Sequence, residues 1–137
     1  MSLLAPTVAS LVEQALGACH ESGYPVAVFE GWRSPERQAQ LLDQNTKDKF
    51  VTSSPPGFSF HQFGLAVDIA YYIDGKWSWE GDFDKPHAIF QSFGFDKPIS
   101  KSDMGHQQIS RGLKMTEIRS IAQKSTLQGL WLAMDLV

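Results

Sequence analysis

Only one cysteine, Cys19, occurs in the chain, so no internal disulfide and no cysteine-rich zinc module can be built. Any metal would have to be held by histidine and carboxylate. Positive charge is also scarce: 12 Lys and Arg stand against 15 Asp and Glu, a formal net charge of −3. Nucleic acid and anionic membrane surfaces demand a basic footprint, and this chain carries none. No apolar run approaches the roughly 18 residues that a membrane span needs, which excludes membrane insertion. Internal repeats, low-complexity tracts and linkers are missing as well, so the 137 residues are read as one domain, 1–137. The 42% of apolar residues is enough to bury a core.

What is there reads as helices around a few strands. At the N-terminus Leu4, Val8, Leu11, Val12, Ala15, Leu16 and Cys19 recur at helical spacing. The segment lacks a positively charged start and is interrupted by Glu13, so it is read as an amphipathic helix rather than an export signal. YPVAVFEGW follows as a strand, with Val26, Val28 and Glu30 alternating against Ala27 and Phe29. Ser34-Pro35 then caps and opens a helix, PERQAQLLDQN. Residues 45–59 are expected as a surface loop around Pro55-Pro56-Gly57. LAVDIAYYI is the strongest strand, and Asp74-Gly75 should turn it into KWSWE. DFDKPHAIFQSFG is a short helix stopped by Gly94, and GHQQI is extended. MTEIRSIAQKSTLQGLWLAMD is expected as one closing helix capped by Thr116. The class is α+β, a small central antiparallel sheet flanked by helices.

The chemistry concentrates in SFHQFGLAVD, residues 59–68. Along the strand Leu65, Val67 and Ile69 share one face, and Ala66, Asp68 and Ala70 the other. The two alanines are expected to leave room around the carboxylate. His61 lies seven residues before Asp68, too far for contact along a straight strand, but Gly64 allows the chain to turn the imidazole back. Of the four histidines, His106 also comes with a nearby carboxylate, Asp103. His61, Asp68 and His106 would present two nitrogens and one oxygen to a metal and leave a fourth position for water, the pattern of a catalytic zinc site. Asp103, three residues before His106, would take a proton from that water.

These residues fall in patterns similar to a known family. Ser59, His61, Gly64, Ala66 and Asp68 match Ser-x-His-x-x-Gly-x-Ala-x-Asp, the signature of the zinc D-alanyl-D-alanine carboxypeptidases, dipeptidases and L-alanyl-D-glutamate endopeptidases. Gly31-Trp32-Arg33-Ser34-Pro35-Glu36-Arg37-Gln38 resembles a second block of that family, and Asp103 with His106 a third. The resemblance implies a Hedgehog/D,D-peptidase-like α+β fold and hydrolysis of a peptidoglycan stem peptide by a monomer that needs Zn²⁺. It implies His61, Asp68 and His106 as ligands, Asp103 as base and later acid, and Arg33 beside the developing oxyanion. Ser59 and Gln38 would be hydrogen bonders to the substrate or to the ligands. The family usually has an aromatic residue and then an acid after the last histidine; here the chain has Gln107-Gln108.

The leading expectation is an L-alanyl-D-glutamate endopeptidase of the phage-endolysin kind, made in the cytoplasm and acting on the wall after release. The alternatives are a D-alanyl-D-alanine carboxypeptidase or cytoplasmic dipeptidase, and a non-catalytic wall-binding or phage structural domain of the same fold. His20 and His87 are read as ordinary satisfied histidines, and Cys19 as packing. Trp77 and Trp79 are read as core or rim packing, with a groove for glycan or peptide as the other reading. Glu80, Asp82 and Asp84 are read as a solvated run with helix-capping duty.

Overall fold

The computed structural model describes residues 4–32, 36, 39, 40, 43, 59–98 and 104–137. In chain order the elements are α1 (Pro6–Glu21), β1 (Val26–Glu30), a 3₁₀ turn (Phe60–Phe63), β2 (Ala66–Ile73), β3 (Lys76–Ser78), α2 (Asp84–Ser92), β4 (His106–Gln108), α3 (Met115–Lys124) and α4 (Leu127–Ala133). Glu36, Ala39, Gln40 and Asp43 are helical, within the helix expected after Ser34-Pro35. Of the loop expected at 45–59, residues 45–58 lie outside the described residues.

The sheet is antiparallel with β2 at its centre. Tyr71 pairs with Val26 on one side and Ser78 on the other, and Asp68 with Glu30 on one side and His106 on the other. Strands β3 and β4 therefore share the edge of β2 opposite β1, one at each end. The β2–β3 turn carries positive φ at both Asp74 (53°) and Gly75 (77°), as a tight two-residue hairpin requires. Strand β3 ends at Ser78, so Trp79 and Glu80 lie past it.

One face of β2 makes the core. Leu65, Val67, Ile69 and Tyr71 pack with Val8, Val12, Ala15 and Cys19 of α1, Val26 of β1, Phe90 of α2, and Ile118, Leu130 and Leu136 near the C-terminus. The apolar spacing of α1 is therefore its buried stripe. Burial pushes the Cys19 thiol up to about 11, which leaves it an unreactive packing group.

Two expectations are corrected. The closing segment is two helices, because Ser125 leaves helical geometry (φ −142°, ψ −134°) and Thr126 caps a new helix by accepting from Gly129 N at 3.0 Å. A Cβ at Gly129 would lie 1.9 Å from Ser125 Oγ, so that hydroxyl would have to move to admit one. Thr116 is not the first cap: the N-cap position is Lys114, whose N–H donates to Glu117 Oε1 at 3.1 Å. In β1 the simple alternation also fails. The register shifts between Val28, opposite Ile69, and Glu30, opposite Asp68, so a bulge at Phe29 turns Glu30 away from the core face to the side of Asp68.

Candidate metal centre

Three local devices bring three side chains to one point. The first is the 3₁₀ turn. Ser59 caps it by accepting from His61 N at 3.3 Å, and Gln62 Oε1 answers by accepting from Ser59 N at 3.3 Å. Gly64 ends the turn in the left-handed region at φ 70°, which folds His61 back over the start of β2. The second is strand alternation, which puts Asp68 on the face away from the core. The third is register: His106 is the direct cross-strand partner of Asp68, so the two side chains rise on the same face.

The ligand atoms of His61, Asp68 and His106 all lie within 4.8 Å of one another. His61 Nε2 is 3.0 Å, and His106 Nδ1 3.3 Å, from the same oxygen, Asp68 Oδ1. The other nitrogen of each ring is already committed. His61 Nδ1 donates to the Gly31 carbonyl at 2.8 Å. His106 Nε2 donates to Gln108 Oε1 at 2.7 Å, and the amide is oriented by Gln108 Nε2 donating to Asp96 Oδ2 at 3.0 Å. Each neutral ring therefore turns a lone pair, not a proton, toward a carboxylate oxygen. Three acceptors facing one another need a cation between them: either protons on the rings or a metal. The set of two imidazole nitrogens and one carboxylate oxygen suits zinc, and the outward N–H groups held by a carbonyl and an amide are the usual support of metal-binding histidines.

The same geometry sets the electrostatics. Burial alone would push the Asp68 carboxyl up, but with no metal present and protons on the rings, the His61 charge, hydrogen bonds from His106 and His61, and the His106 charge hold it well below the usual carboxylate range. Asp68 is an anion here at any ordinary pH, with a fifth of its side chain still open to solvent (20%).

Sequence reasoning singled out seven site residues. The structure brings His61, Asp68 and His106 together and places Ser59 beside them, buried, with its hydroxyl on the His61 backbone. Asp103, Arg33 and Gln38 lie outside the described residues. Gly31, Gln108 and Asp96 were not foreseen. Gln108 had a readable signal, since two residues along a strand from His106 is the same face. It stands opposite Ala66, whose small side chain leaves the amide room to reach the imidazole. Neither Gly31 nor Asp96 had such a signal, because each acts through distant chain segments. Ala66 and Ala70, the small neighbours of Asp68 on this face, are fully buried.

The histidines read as ordinary are satisfied. His20 Nε2 meets the Val26 carbonyl at 2.8 Å. His87, on the core side, donates from Nε2 to the Met104 carbonyl at 2.7 Å and accepts at Nδ1 from the Gln107 side-chain amide at 2.8 Å, so it holds one backbone group and one side chain flanking His106. Gly105 is equally constrained. A Cβ there would lie 2.1 Å from Ile69 O, and its own carbonyl accepts from Ile69 N at 2.8 Å.

Residues 1–110 match the VanY family, D-alanyl-D-alanine carboxypeptidase. The chain belongs to this family. It is 33% identical over 84 residues to the peptidoglycan L-alanyl-D-glutamate endopeptidase CwlK of Bacillus subtilis (strain 168). That match takes in 59% of this chain and 50% of the relative, so the chain spans about half the relative's length. The fold is similar to that of an L,D-carboxypeptidase, DacB, from Streptococcus pneumonia: TM-score 0.61 and 24% identity, covering 85% of this chain and 71% of the other. A vancomycin resistance D,D-pentapeptidase, VanY from a VanB-type cassette, has a structure in complex with Zn(II). It matches with TM-score 0.57 and 22% identity, covering 90% of this chain and 80% of that one. The VanY match stops at residue 110, yet α4 beyond it is tied to the site side: Trp131 Nε1 donates to the Phe63 carbonyl at 2.7 Å, steadying the turn that carries His61.

Proposed function

We propose that the chain is a zinc-dependent peptidoglycan peptidase that hydrolyses the L-alanyl–D-glutamate bond of the stem peptide. The observation that carries this is the convergence of two imidazole lone pairs and a carboxylate within 4.8 Å, each ring fixed from behind. Membership of the VanY family and the identity to the CwlK endopeptidase support the substrate. In this reading His61, Asp68 and His106 hold the metal. When bound, zinc supplies a Lewis acid that lowers the pKa of a water to about 7, so a nucleophile exists at neutral pH.

The remaining work belongs to the chain's own groups. The Asp103 carboxylate accepts a proton as water attacks and returns it to the departing amine, which needs one carboxyl that changes state twice. Arg33 is assigned to stabilising the carbonyl oxygen as negative charge builds there, a role that suits a group whose charge is fixed. Ser59 stabilises the backbone of His61, while Gln38 is assigned to the substrate side.

A second reading, removal of a terminal D-alanine, is favoured by the family's description as D-alanyl-D-alanine carboxypeptidase. Mass analysis of purified peptidoglycan after digestion separates the two. New N-terminal D-glutamate supports the endopeptidase, whereas released D-alanine replaces it with the carboxypeptidase. Asp103→Ala should keep one zinc per chain while losing about 10²–10⁴-fold in hydrolysis. Retained activity in that variant removes Asp103 from the base role.

A further inference from the structure

Beyond the metal centre, the same face of β2 continues into a group of aromatic rings. Alternation carries that face from Asp68 through Ala70 to Tyr72. Tyr72 is the cross-strand partner of Trp77, with ring centroids 4.7 Å apart. Phe29, at the β1 bulge, meets both Trp77 and Trp79 at 5.2 Å across β2, and Ala70 between them is fully buried. These rings are far from hidden: Phe29 is 46% exposed, Tyr72 46%, Trp77 42% and Trp79 41%. Two indoles, a phenol and a phenyl side by side in water make a costly surface, of the kind that marks a binding site.

Two observations connect this patch to the metal centre. Phe29 precedes Glu30, the partner of Asp68 on β1. Trp79 comes so close to Gly105, the residue before His106, that a Cβ there would lie 2.9 Å from its Cζ3. The patch is thus the continuation of the peptidase face, starting about 7 Å from Asp68 along β2 and ending about 13 Å away.

We propose that Phe29, Tyr72, Trp77 and Trp79 form a subsite for the sugar rings of the glycan strand to which the stem peptide is attached. This rests on the peptidase reading given above. The chemistry of the patch selects the occupant. Aromatic faces carry partial negative charge and pack against the C–H faces of a pyranose, while the sugar hydroxyls stay at the edge in water. Asp74, at the hairpin turn that follows Tyr72 and Ile73, and Glu80, next after Trp79, are exposed carboxylates able to accept hydrogen bonds from such hydroxyls. The same carboxylates repel a polyanion or an anionic lipid surface. Reach agrees too. In an L-alanyl–D-glutamate cleavage one alanine and its linkage separate the sugar from the bond cut, about two residue lengths or roughly 7 Å, which brings the sugar to the near edge of the platform.

The Tyr72–Trp77 pair also stabilises the hairpin, so the test must separate binding from folding. The full-length, zinc-free protein is titrated with chitotetraose while its tryptophan fluorescence is read. A saturable change is expected, weakened about tenfold in Trp77→Ala, with Trp77→Phe recovering most of the affinity. Circular dichroism and melting of each variant report its folding. With zinc, the kcat/KM ratio for a sugar-bearing muropeptide over the same peptide without sugar should fall about tenfold in Trp77→Ala. No response to chitotetraose overturns the proposal, as does a response that survives Trp77→Ala, or an equal loss on both peptides. If the wild type cuts neither peptide yet binds chitotetraose through Trp77, the peptidase reading fails and the glycan subsite stands.

Discussion

The two faces of β2 are made by the same eight residues and obey different rules. Toward the core, Val67, Ile69 and Tyr71 are large, and their neighbours come from α1, α2 and the C-terminal helices. Any apolar group of similar volume would serve that side nearly as well. On the other face Ala66, Asp68 and Ala70 alternate small, charged, small, and nothing there is interchangeable. Ala66 gives room to Gln108, Asp68 receives two imidazoles, and Ala70 lies beneath the aromatic rings. A core face tolerates error in shape; a ligand face tolerates none in atom type.

The comparison is easiest to break at its polar end. His61→Ala or Asp68→Ala should abolish zinc binding at micromolar metal, measured by elemental analysis, and leave the circular dichroism spectrum close to wild type. A collapse of the fold in either variant would mean that the ligand face also carries the structure. Ile69→Ala should do the reverse, costing about 2–5 kcal/mol in urea unfolding while the native protein still binds one zinc per chain. A smaller effect is expected one step behind the ligands. Gln108→Leu leaves the His106 N–H without its acceptor and should weaken zinc binding about 10–100-fold by competition titration, with Gln108→Glu restoring most of it. Equal affinity in the leucine variant would show that the relay to Asp96 does not support the site.

Acidity should sharpen the same contrast. Both imidazoles must be neutral to bind metal, so zinc affinity should fall on acidification, with protons taken up as the metal is released. In the zinc-free protein Asp68 has its folded pKa below the ordinary value. The stability it contributes is therefore complete above about pH 3.9 and is lost as pH falls through the lower folded value. The urea stability difference between wild type and Asp68→Asn should be flat from about pH 4 to 6 and shrink toward about pH 2. A difference that instead grows on acidification would reverse the assigned shift.

Much of this was legible in the residues. The helical spacing of α1, the β2 run and the Asp74-Gly75 turn are local signals, and local signals survive folding. So did the pairing of His61 with Asp68, because Gly64 sits between them and only a turn could use it there. The closing helix was misread because Ser125-Thr126 breaks a run whose apolar spacing continues past it, and a capping side chain shows its effect only once a helix starts beside it. The turning of Glu30 was equally hidden, since a bulge is a property of two strands and not of one.

The sequence by itself determined which atoms are available: two imidazoles, one carboxylate, no thiol partner, and a glycine placed to bend the chain. Tertiary structure alone decided which nitrogen of each ring points inward. That choice is made by the Gly31 carbonyl and by Gln108 held on Asp96, groups 30 residues before His61 and two residues after His106. A ring has two nitrogens of nearly equal energy, so only a hydrogen-bond partner supplied by the fold selects between them.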